Sequence, residues 1–125
     1  MISSEILSDF VNKKVLITGG TGLIGREIAK ILSDAGSEVT VVSLDNIKIS
    51  EHVKHIHGDL TDFNFCKDII NGMDYVFHVA GIKGSIDVTI KNPASFFVPL
   101  LMFNTNVLEA SRLNNVKKLV YTSSI

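Results

Sequence analysis

"KKVLITGGTGLIG", residues 13 to 25, decides the fold. Its first half, "KKVLIT" (13 to 18), is a short apolar run bounded by lysines and glycines, which reads as a strand buried on both faces. Four glycines follow within the seven positions 19 to 25. Beyond them Ile24, Ile28, Ile31, Leu32 and Ala35 recur at offsets of 4, 7, 8 and 11, the apolar stripe of a helix, and Gly36 is placed to end it. Strand, glycine turn and helix make the first half of a βαβ unit. "EVTVVSL" (38 to 44) supplies the second strand, and the parallel crossover should be right-handed.

The glycines define what the turn is suited to hold. A dinucleotide's diphosphate brings negative charge close to backbone, which calls for residues without a Cβ and free N–H groups at a helix N-terminus. Gly19, Gly22 and Gly25 fit G-x-x-G-x-x-G, while Gly20, Gly22 and Gly25 fit G-x-G-x-x-G, so both frames share the last two glycines. On either frame Gly22 admits the diphosphate, Gly25 lets the helix approach the sheet, and the N–H groups around Leu23 and Ile24 donate. A tight turn with no ligand is the competing reading. A kinase-type phosphate loop fails, because no Gly-Lys-Ser/Thr follows and Arg26 is no substitute.

A carboxylate at the end of the second strand would accept hydrogen bonds from a ribose diol. Counting on from Gly25, that place falls at Ser43, with Asp45 two residues later. Asp45 reaches the ribose if the strand extends that far; otherwise it is a solvated loop aspartate. With no arginine in the segment and only Lys48 nearby, the choice between NAD and NADP stays open.

The alternation continues. "VKHIHG" (53 to 58) is a weak third strand, Asp62 can cap a helix running to about residue 71, and "DYVFHVA" (74 to 80) is a fourth strand. The stretch 92 to 116 has helical spacing at Leu101, Val107, Leu108 and Leu113, but Pro99 predicts a kink or a helix start there. "KKLVYTSS" (117 to 124) is the fifth strand. The fold class is therefore α/β: a doubly wound parallel sheet in the order 3-2-1-4-5, forming one domain over residues 1 to 125.

Bulk properties agree. Apolar residues make up 46% and charged residues 20% of the 125, as in a folded globular chain. A formal charge of -1 gives no attraction to nucleic acid or anionic membranes. The single Cys66 forms no internal disulfide, and with scattered histidines no metal site is expected. No stretch approaches the roughly 18 apolar residues of a membrane span, and the N-terminus lacks a signal-peptide run, so cytoplasm is the default.

The motifs resemble the extended short-chain dehydrogenase/reductase family, the NAD(P)-dependent nucleotide-sugar epimerases, dehydratases and reductases with a Rossmann-type sheet. "TGGTGLIG" is similar to that family's phosphate loop, "HGDLTD" (57 to 62) to its strand-three signature, "DYVFHVAG" (74 to 81) to its strand-four signature and "VKKLVYTSS" (116 to 124) to its strand-five signature. The stretch from "NPASFF" to "LVYTSS" also resembles the GDP-fucose synthase branch. The resemblance implies that Asp59 accepts from the adenine amino group, Leu60 lines the adenine pocket, Ala80 and Gly81 let the coenzyme pass close to the backbone, and Lys83 sits near the ribose. Asp59 also reads as a capping or loop acid, and Lys83 as a solvated lysine. His78, inside an apolar strand, reads as a core or crevice-lining residue rather than a catalytic base.

By the same resemblance Ser124 matches the catalytic serine or threonine, with Ser123 as the neighbour it could be confused with. The family's acid/base is a tyrosine followed four residues later by a lysine. Here Tyr75 leads to Val79 and Tyr121 to Ile125, so the pair is absent from these residues. Leu100 stands where many relatives place an asparagine. The expectation is the NAD(P)-binding N-terminal portion of a nucleotide-sugar enzyme, inactive alone, whose full-length form takes the sugar nucleotide and pairs as a homodimer. A stand-alone dinucleotide-binding module is the alternative. Strand five should form an edge with an apolar face that promotes association.

Overall fold

A computed structural model describes residues 1–123, so Ser124 lies outside the described residues. The elements are α1 (Ser4–Ser8), β1 (Lys14–Thr18), α2 (Leu23–Asp34), β2 (Glu38–Ser43), β3 (Lys54–His57), α3 (Phe63–Ile70), β4 (Tyr75–His78), α4 (Ile86–Lys91), α5 (Pro93–Leu113) and β5 (Lys118–Tyr121). All pairings are parallel, and the strand order is β3-β2-β1-β4-β5, as the alternation of motifs predicts.

The central position of β1 follows from its composition. Val15, Leu16, Ile17 and Thr18 are all fully buried, which only a strand flanked on both edges and covered on both faces achieves. Successive side chains go to opposite faces. Leu16, with Val42 and Val76, joins Cys66, Ile70, Phe103 and Val107 beneath α3 and α5. Val15 and Ile17, with Val39 and Val41, join Ala29 and Leu32 beneath α2. Each fully buried Val, Leu or Ile contributes roughly 1.5–3 kcal/mol relative to exposure. Asp74 ties the strands' starting ends together: its carboxylate accepts from Lys14 N–H at 2.9 Å and lies 3.5 Å from Lys117 Nζ.

Two helix boundaries follow the sequence signals. The Asp62 carboxylate accepts from Phe65 N–H at 3.2 Å and caps α3. Gly36, at φ 90°, ends α2, with Ser37 N–H returning to Leu32 C=O at 3.0 Å.

Other expectations need correction. The buried face of α2 is Gly25, Ala29 and Leu32, with Ile28 packed beside it, so Leu32 and Ile28 of the expected stripe face the core while Ile24, 57% exposed, does not. Periodicity selects bulky side chains, but a helix pressed against a sheet at its first turns needs small ones. Ile28 and Ile31 also flank an apolar depression shared with Ile6, Phe10, Leu32 and Phe77, partly roofed by α1. The ring of Phe10 packs on Tyr75 at a centroid distance of 5.2 Å. Helix α5 starts at Pro93 rather than near Pro99 and runs through Pro99. Pro93 takes a first-turn position where its missing N–H costs nothing. The bond lost at Pro99 would have ended on the carbonyl of Ser95, an exposed residue that water can serve.

β5 is a sheet edge, and Val120 on it is 47% exposed. Among the described residues no helix is long and apolar enough to cross a membrane.

Candidate functional site

The carboxyl ends of β1, β2 and β4 converge on the glycine loop. Gly19 has φ 66°, its N–H donates to Val42 C=O at 2.9 Å, and a Cβ on it would stand 2.7 Å from Ala80 Cα. At Gly20 a Cβ would collide with the side chain of Val41. At Gly25 it would collide with the Gly19 carbonyl oxygen and lie 2.8 Å from Gly20 Cα. The packing of the protein itself therefore requires these three glycines.

Gly22 is different. Its backbone is extended (φ -73°, ψ 174°), and a Cβ there would meet only the Gly19 oxygen, at 3.2 Å. The turn is closed by Gly22 N–H donating to Gly19 C=O at 3.0 Å, a bond that any residue could make. The Cβ contact is tight but far less severe than those at the other three, so Gly22 is the loop glycine that packing constrains least, and its bare backbone fits a group approaching from outside. Gly22 is also the N-cap of α2 and supplies no side-chain cap. The N–H groups of Leu23 and Ile24 find no acceptor among the described residues, and Leu23 is 76% exposed. Such donors at a helix N-terminus favour an anion by about 0.3–2 kcal/mol, enough to orient it.

A scan of the sequence matches residues 15–125 to the NAD dependent epimerase/dehydratase family. The chain belongs to this family. It is 32% identical over 135 aligned residues to a UDP-glucose 4-epimerase of Rickettsia bellii (strain RML369-C), covering 92% of this chain and 37% of that protein. It is 31% identical over 116 residues to a 3 beta-hydroxysteroid dehydrogenase/Delta 5-->4-isomerase of Mycobacterium tuberculosis (strain CDC 1551 / Oshkosh), covering 89% of this chain and 31% of that protein. Among solved structures, epimerase Mth375 of Methanothermobacter thermautotrophicus superposes with a TM-score of 0.86 at 28% identity, over 97% of this chain and 38% of that one. The chain thus spans about a third of the length of these relatives, 31–38%.

Around the loop, Asp45 has a more specific setting than the sequence suggests. β2 ends at Ser43, so strand geometry does not carry Asp45 to the crevice. Side-chain bonds do: Thr21 Oγ1 donates to Asp45 Oδ2 at 2.8 Å and Ile47 N–H to Oδ1 at 3.1 Å, while Ser43 Oγ lies 3.0 Å from the Asp45 carbonyl oxygen. Burial works to raise the Asp45 pKa, but the Ile47 amide, the Thr21 and Ser43 hydroxyls and nearby His55 outweigh it, so the carboxyl is held below its ordinary value. The acid is ionised and anchored directly to the glycine loop.

The other sequence-derived positions divide. Ala80 stands against Gly19, and its N–H donates to Thr18 Oγ1 at 3.2 Å. Gly81 has open space around its Cα, and Lys83 is exposed and makes no ion pair with the described residues. Asp59 Oδ1 accepts from both the N–H and the hydroxyl of Thr61, at 2.9 and 2.8 Å, leaving Oδ2 without a partner among the described residues. Leu60 is 8% exposed and packs in the core, while its carbonyl accepts from Asn106 Nδ2 at 2.9 Å.

His78 is fully buried, between Thr18 Oγ1 (2.6 Å from Nδ1) and Asn104 Oδ1 (2.7 Å from Nε2). Burial lowers its pKa, with the Asn104 bond opposing, so the ring is neutral near pH 7. One proton order satisfies every group: Ala80 N–H to Thr18 oxygen, Thr18 hydroxyl to Nδ1, and Nε2–H to Asn104 oxygen. Both ring nitrogens are thereby engaged within the protein. Asn104 and Asn106 escape a reading by periodicity. Their one signal is two amides within the apolar run "LLMFNTNVL". Cys66 is inert: burial pushes its thiol up to about 12, and Asp62 and Asp59 add to the shift.

Proposed function

We propose that this chain binds NAD, with the diphosphate against Gly22 and the N–H groups of Leu23 and Ile24, and that it forms the coenzyme-binding part of an enzyme acting on nucleotide sugars. The observation that carries the reading is Gly22, the loop glycine that the packing of the protein constrains least. Asp45 would accept from the ribose hydroxyls, Asp59 through its free Oδ2 from the base, and the wall formed by Ala80 and Gly81 would admit the coenzyme. NAD rather than NADP follows from the ionised Asp45, since a 2′-phosphate would face its charge.

When bound, the nicotinamide supplies hydride transfer; these residues bind and orient it. The rickettsial relative's name supports a nucleotide-sugar substrate for the full-length enzyme. Neither tyrosine of the 125 residues has a lysine four positions on, and proton transfer by such a positioned group contributes roughly 10²–10⁴-fold to rate. The purified chain, incubated with NAD and UDP-glucose, is therefore expected to yield no epimerised product by chromatography. Measurable turnover would overturn that part of the proposal.

Titration with both coenzymes tests the binding reading. Wild type should prefer NAD, and Asp45→Asn should weaken NAD by about fivefold while improving NADP, because a neutral amide neither accepts as well nor repels phosphate. An unchanged preference would remove Asp45 from the site.

A further inference from the structure

The anchoring of Asp45 extends one strand beyond the glycine loop. His55 lies on β3, opposite Val41 in the register, and its Nε2 is 2.7 Å from Ser43 Oγ. Ser43 Oγ in turn stands 3.0 Å from the Asp45 carbonyl oxygen and 3.3 Å from Oδ1. The serine hydroxyl has one proton, and both of these Asp45 atoms are acceptors only. With its proton directed to Asp45, the Ser43 oxygen can only accept from the ring, so Nε2 carries a hydrogen and donates. His57 assists from the same strand, with its Nε2 2.8 Å from the Leu44 carbonyl oxygen. The turn after β2 is thus held from β3 by two imidazoles and from the glycine loop by Thr21.

We infer that His55 is a positioning residue for coenzyme selection: through Ser43 it holds the Asp45 carboxylate against the glycine loop, so that the acid meets the adenosine ribose although it lies past the end of β2. This rests on the proposed dinucleotide reading. The chain His55–Ser43–Asp45–Thr21 joins β3, β2 and the loop, and Ser43 stands where counting from Gly25 would put the ribose-binding acid. Serine and histidine together restore to Asp45 a function that strand geometry alone would not give it.

The test measures NADH and NADPH binding by coenzyme fluorescence on the purified chain and a small set of variants. His55→Leu is expected to weaken NADH about fivefold and leave NADPH within about twofold, and Ser43→Ala to do the same. His55→Gln, which keeps a donor near the Nε2 position, should restore NADH affinity to within about twofold. In an Asp45→Asn background, His55→Leu should change NADH binding by less than about twofold, because the group it acts through has lost its charge. Equal weakening of both coenzymes, an undiminished effect in the Asp45→Asn background, or unaltered binding in His55→Leu would each overturn the inference while leaving the dinucleotide reading intact. A wild-type chain that binds neither coenzyme would overturn the dinucleotide reading itself, and the role of His55 with it.

Discussion

Gly25→Ala is expected to destabilise the chain by about 2–3 kcal/mol, lowering its thermal midpoint by roughly 10 °C in a circular dichroism melt. The added Cβ would overlap the Gly19 carbonyl oxygen and lie 2.8 Å from Gly20 Cα. Both are backbone atoms, so no side-chain rotation relieves the clash. The first turn of α2 must lift from the loop, or the loop must abandon the geometry that Gly19 adopts at φ 66°. Either movement disturbs Ala29 and Leu32, which α2 buries against Val15, Ile17 and Val41. Gly81→Ala is the matched control: nothing lies within 4 Å of its Cβ position, and its midpoint should not move. Equal midpoints for wild type and Gly25→Ala would show that the helix does not depend on this close approach.

Gly22→Val is expected to behave differently, costing the fold less than Gly25→Ala while removing coenzyme affinity. Its φ of -73° and ψ of 174° suit a β-branched residue, and the one neighbour of the new Cβ is the Gly19 oxygen at 3.2 Å. The two valine methyls would project into the space in front of the exposed N–H groups of Leu23 and Ile24. A diphosphate could no longer reach those donors, and a loss of roughly a hundredfold in affinity, about 2.7 kcal/mol, is expected. The contrast between two glycines three residues apart separates what the loop does for the protein from what it does for a ligand.

How much of this was legible in the sequence depended on whether the signal was local. The strand–glycine–helix unit, the Asp62 cap and the Gly36 terminator are set by neighbours within a few residues, and all three stand in the structure. The sheet order followed because parallel crossovers leave few choices. The α2 stripe holds at Ile28 and Leu32 but not at Ile24, because close packing at Gly25 and Ala29 puts small residues against the sheet and leaves Ile24 exposed. A helix start at Pro99 is a reading of its local cost alone, whereas the burial of Phe103, Val107 and Ala110 that sustains α5 through it is tertiary.

The candidate site shows the same division. Gly22 is readable as a motif, but that packing constrains it least among the loop glycines emerges only from the space around each one. The sequence leaves Asp45 open because its position comes from Thr21, 24 residues earlier, and from Ser43 and His55. Asn104 and Asn106 bond to His78 and to the Leu60 carbonyl across separations of 26 and 46 residues, which no periodic pattern encodes.

Calorimetric titration of NAD into the wild-type chain and into Gly22→Val tests the central claim most directly. Wild type is expected to give a one-to-one isotherm, and Gly22→Val, shown by its melt to be still folded, to bind roughly a hundredfold more weakly. Equal affinity in the two proteins, or no heat of binding from wild type at millimolar NAD, would contradict it.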